Sequence, residues 1–62
     1  MPDDALRALV HDLRAPLTVV EGFADLLVRR GAELGAAERE EYLGRIAAAA
    51  HEMRDLIDRA VG

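Results

Sequence analysis

The stretch LVHDLRAPLT, Leu9 to Thr18, decides the fold, because it sets a proline inside an apolar repeat of helical spacing. On either side of Pro16 the repeat continues: Leu6, Leu9, Leu13, Leu17, Val20, Ala24 and Leu27 recur every three or four residues, as one helical face does. Proline removes the hydrogen bond to the carbonyl four residues back, here that of Asp12, and its ring crowds that carbonyl. A bend near Pro16 is the expected consequence. The spacings run three, four, four, three, four, three, and the two successive fours at Leu9, Leu13 and Leu17 predict a stutter at the same place.

Outward from this stretch the chain reads as two helices and one connection. The first helix is predicted over about residues 4–30, with Asp3 or Asp4 as its cap. Arg29 and Arg30 place cations on its C-terminal dipole, and Gly31 offers a left-handed stop. A loop over about residues 31–36, within RRGAELGAAE, leads to a second helix over about residues 37–61. There Tyr42, Ile46, Ala49, Met53, Leu56 and Ala60 alternate four and three, and Leu43, Ala50 and Ile57 widen the stripe. Glu38, Glu40 and Glu41 sit where the N-terminal dipole favours anions. Glu41 with Arg45 and Asp55 with Arg59 are spaced for surface i,i+4 pairs.

Both helices come to roughly 40 Å at 1.5 Å per residue, matched lengths that suit an antiparallel hairpin. Sixty-two residues form at most one small domain, taken as residues 1–62, in which a lone core is marginal. Cysteine is absent and the two histidines lie forty positions apart, so neither disulfides nor a metal supplement that core. Self-association remains: two hairpins sharing their stripes make a four-helix bundle. The expected fold is therefore all-α, a two-helix hairpin that homodimerises into such a bundle.

Eight arginines against twelve acidic residues give a formal charge of −4, which offers no electrostatic footprint for nucleic acid or an anionic membrane. No apolar run approaches the ~18 residues that span a bilayer, and no signal-peptide pattern opens the chain. A cytoplasmic location without direct membrane contact is expected, with a membrane anchor possible elsewhere in a parent protein.

At about 100° per residue, His11 points some 160° away from the centre of the first apolar stripe, into solvent. Ala15, Thr18, Gly22, Asp25 and Arg29 share or adjoin that outward face, a track of mostly small residues that suits a protein partner. Asp12 follows the histidine directly, and a carboxylate that accepts one imidazole proton makes the other nitrogen more nucleophilic. An ordinary surface histidine is the bland alternative for His11, and a structural or surface histidine is the reading for His51 in AAAHEMRD.

HDLRAPLT resembles the phospho-acceptor motif of sensor histidine kinases, and nearly the whole chain resembles their dimerisation and histidine-phosphotransfer domain. The resemblance implies that His11 accepts the γ-phosphoryl group of ATP and passes it to an aspartate of a response regulator. It implies that Asp12 orients the ring and acts as general base, that Arg14 balances phosphate charge, and that Pro16 is a hinge. Regulator docking is implied at Ala15, Thr18, Val19 and Gly22, together with the second helix.

Members with strong phosphatase activity carry Thr or Asn four residues after the histidine, whereas this chain has Ala15, with no hydrogen-bonding side chain. Thr18, about a turn further on, is a weak substitute. The five glycines are scattered singly and build no phosphate cradle, so ATP and Mg are expected on a separate catalytic domain. The chain is then an enzyme component that is inactive alone. A coiled-coil dimerisation module without phosphotransfer is the alternative of another class. A free-standing phosphotransfer protein is a third, although those are monomeric bundles about twice this length.

Overall fold

The computed structural model describes residues 3–62. Helix α1 spans Asp3–Arg30, a 3-10 turn spans Gly31–Glu33, and helix α2 spans Ala36–Val61. The helices pack as an antiparallel hairpin 46 × 18 × 11 Å in extent. Its least extent is 11 Å and it has two helices side by side, so the molecule is a single layer with two broad faces.

Helix α1 passes through Pro16 without interruption. Pro16 is in fact one of two buried residues among those described, the other being Ala49, 6% exposed. Leu17, expected in the seam, is 45% exposed. The side of α1 that meets α2 therefore runs through Leu9, Leu13, Pro16, Val20, Phe23 and Leu27, all buried or half-buried. These alternate four and three without a break, so the predicted stutter is absent from the seam. The proline ring has no N–H to satisfy and packs as an apolar knob, and exposed Asp12 can give its unpaired carbonyl to water.

On α2 the seam is Tyr42, Ile46, Ala49, Met53 and Leu56, all buried or half-buried. Phe23 and Tyr42 bridge the helices, ring centroids 5.0 Å apart at 42°. One heptad further from the turn on each helix, the register of that pair brings Pro16 level with Ala49, a small residue opposite the proline ring.

The turn differs from expectation. No described glycine has a positive φ, so Gly31 is not a left-handed stop. Instead α1 tightens into the 3-10 turn, where Leu34 N–H reaches Gly31 O at 3.4 Å. Arg39 reaches back from α2 and donates through Nη2 to Gly31 O at 2.8 Å and Leu34 O at 3.4 Å, tying two carbonyls of the turn to the second helix. Asp3 and Asp4 lie inside the first turn of α1, as charges on its dipole rather than as caps. Glu41 and Arg45 pair at 3.5 Å. Asp55 does not pair with Arg59: its carboxylate lies 3.8 Å from Arg54 Nε, while Arg59 Nε donates to the Asp55 carbonyl at 3.3 Å, a contact the C-terminal dipole favours.

Candidate functional site

The site is built on the face of α1 turned away from α2. His11 projects from its third turn with a side chain 86% exposed. Its Nδ1 lies 3.3 Å from Asp12 Oδ1, so the two neighbours meet although their Cβ directions diverge by about 100°. When Nδ1 carries the proton it donates to the carboxylate, and the lone pair of Nε2 is left free toward solvent. That arrangement is an oriented, accessible nitrogen nucleophile.

C-terminal to the histidine, Ala15, Thr18, Gly22, Asp25 and Arg29 are all exposed. Thr18 Oγ1 donates to the Arg14 carbonyl at 2.9 Å, which ties up its hydroxyl hydrogen. Thr18, Val19 and Gly22 line a shallow apolar groove with Phe23 and Leu26. A Cβ added at Gly22 would meet nothing within 4 Å, so the glycine is not there to admit a neighbour within the hairpin. Asp25 and Arg29 close the track with an ion pair at 3.5 Å. Pro16, one residue from Ala15, faces the opposite way, into the seam.

On the other side of His11 the structure adds Arg7, which sequence reading passed over. Leu6, Arg7, Val10, His11 and Arg14 line one open groove. The signal was present as the spacing Arg7, His11, Arg14, an i, i+4, i+7 series on one helical face. His51 is exposed on α2 and makes no hydrogen bond or ion pair among the described residues. No group of three or more carboxylates and imidazoles converges as a metal ion would need among the described residues. Among these residues no helix is long and apolar enough to cross a membrane.

A family model described as the His Kinase A (phospho-acceptor) domain matches residues 3–60. No curated protein and no solved structure matches the chain. The match spans both helices and the turn, and the chain belongs to the His Kinase A phospho-acceptor domain family, the helical phospho-acceptor and dimerisation domains of histidine kinases in two-component signalling.

Proposed function

We propose that this member of the family is the phospho-acceptor and dimerisation module of a sensor histidine kinase, and that His11 is the residue phosphorylated. The observation that carries the reading is the pairing of an exposed His11 ring with Asp12 at 3.3 Å. In autophosphorylation Nε2 attacks the γ-phosphorus of ATP held by a separate ATP-binding domain. The N–P bond forms, the bond to the β,γ-bridging oxygen breaks, and ADP leaves. Asp12 orients the ring and takes the Nδ1 proton as positive charge develops on it. In the second transfer a regulator aspartate attacks the phosphorus and Nε2 departs with its electron pair. The chain holds the acceptor and not the ATP site, so it is inactive alone.

Regulator docking is assigned to the track at Ala15, Thr18, Val19 and Gly22, where small and apolar residues run C-terminally from the histidine along α1. Pro16 serves as the hinge that lets one face of α1 meet two different partners. A cytoplasmic setting goes with ATP as phosphoryl source.

Homodimerisation rests on surface. The chain exposes 4812 Å², against about 4000 Å² for a compact monomer of its 6.8 kDa mass. The excess approaches the ~800 Å² per partner of a standard interface. Leu6, Val10, Leu17 and Val28 on α1, and Leu43, Ile57 and Val61 on α2, are exposed. At about 100° per residue both sets lie roughly 60–100° from their seams in the same rotational sense, which in an antiparallel pair puts them on the same broad face. That face is the surface a second copy covers.

The test is incubation of the chain with ATP and the active ATP-binding domain of a cognate kinase. Acid-labile, base-stable phosphate is expected, lost in His11→Gln and retained in His51→Gln. Label that survives His11→Gln overturns the site, and absence of label with any cognate domain leaves a structural dimerisation module.

A further inference from the structure

The eight arginines of the chain divide by what they touch. Arg29, Arg45 and Arg54 are ion-paired with carboxylates, and Arg39 and Arg59 donate to backbone carbonyls. Arg7, Arg14 and Arg30 have no such partner among the described residues. Two of these three uncommitted cations bracket His11, one turn before it and one turn after, and both line its groove.

The placement has a direction. Helical side chains lean toward the N-terminus, so the patch a residue covers lies over the preceding turn. By this rule the His11 ring leans toward the turn that carries Arg7 and Arg14 leans back toward His11, while Arg7 reaches the ring by turning its long side chain along the groove they share. Residues four apart have Cβ atoms about 5–6 Å apart, well within reach of a guanidinium. Asp12 lies at Nδ1, so the carboxylate that touches the ring is on the side away from Nε2.

We propose that Arg7 is a phosphoryl-binding residue for transfer at His11: with Arg14 it forms a two-cation cradle for the phosphoryl oxygens on Nε2. The inference rests on His11 being the acceptor. The guanidinium draws the anionic phosphodonor to the ring and holds the transferred group by charge-assisted hydrogen bonds.

Phosphoramidate tests this without a kinase domain. The Nε2 lone pair attacks its phosphorus, the donor's P–N bond breaks, and ammonia leaves carrying the donor's proton. The chain in a His51→Gln background is followed by phosphorus NMR and intact mass. At low salt Arg7→Gln should slow phosphorylation about two- to fivefold, the range for an exposed charge. Arg7→Lys should restore most of the rate. The difference should vanish near 1 M salt, where the screening length is ~3 Å. Arg30→Gln, which removes the distant uncommitted cation, should change nothing. An unchanged rate in Arg7→Gln, an equal loss in Arg30→Gln, or a deficit that salt does not erase overturns the role of Arg7. Modification that persists undiminished in His11→Gln overturns the acceptor assignment instead.

Discussion

His11 and Asp12 are adjacent in sequence and 3.3 Å apart in space, both well exposed, so their contact competes with water and adds little to stability, and the role proposed for it is in the chemistry of the ring. Replacing Asp12 by Asn keeps an oxygen that can orient the ring but removes the charge that accepts its proton. Autophosphorylation of Asp12→Asn should fall about a hundredfold, the low end for a positioned general base, while helicity stays unchanged. An initial rate within twofold of the parent chain would remove Asp12 from the mechanism. Ala15 calls for the opposite kind of change. Thr18 already spends its hydroxyl hydrogen on the Arg14 carbonyl, so it makes a poor substitute for the missing polar side chain. Ala15→Thr, at an exposed position, should raise dephosphorylation of the regulator by at least tenfold; equal rates in the two versions would show that this chain does not need a polar group there.

Pro16 changes meaning at the scale of the helix. As a buried member of the seam it contributes apolar surface, and as a proline in a helix interior it costs about 3 kcal/mol relative to alanine. Pro16→Ala restores the hydrogen bond to Asp12 and shrinks the knob, so a net gain of about 1–2 kcal/mol is expected in urea denaturation. Phosphoryl transfer rates should change with it, and identical rates in both directions would count against a hinge. Ala49, level with the ring, should not tolerate a larger side chain: Ala49→Leu is expected to cost about 1–3 kcal/mol by overpacking. The two helices, their antiparallel pairing and the outward face of His11 were legible because apolar spacing and rotation per residue fix them. The seam was misplaced by one residue because Leu17 and Pro16 are neighbours, and apolar periodicity favours the leucine over a residue usually excluded from helices. Burial depends on which flank meets α2, which one stripe cannot reveal. The Arg39 tie was hidden for a related reason, since a side chain reaching across a turn leaves no periodic trace.

The hairpin as a whole is one layer thick and has only two buried residues among those described, too little for a 62-residue chain to hold its shape alone. Its two broad faces are not alike. One carries Leu6, Val10, Leu17, Leu43 and Ile57, each 43–53% exposed, in two parallel rows; of the exposed large apolar residues the other carries Val19. The first is wide enough in apolar surface to be the dimer face, and the arrangement leaves His11 outside it. Sedimentation equilibrium should therefore give a dimer at micromolar concentration, and the melting temperature should rise with concentration, since binding stabilises what it binds. Leu17→Glu changes two side chains per dimer, each worth about 1.5–3 kcal/mol when fully buried. At 1.4 kcal/mol per decade, association should weaken at least a hundredfold, leaving a poorly helical monomer. Val19→Glu, on the opposite face, should leave the dimer intact. A helical, stable monomer in the parent chain would end the bundle reading, and equal disruption by Val19→Glu would place the interface on the side proposed for regulator docking, where the two roles would compete.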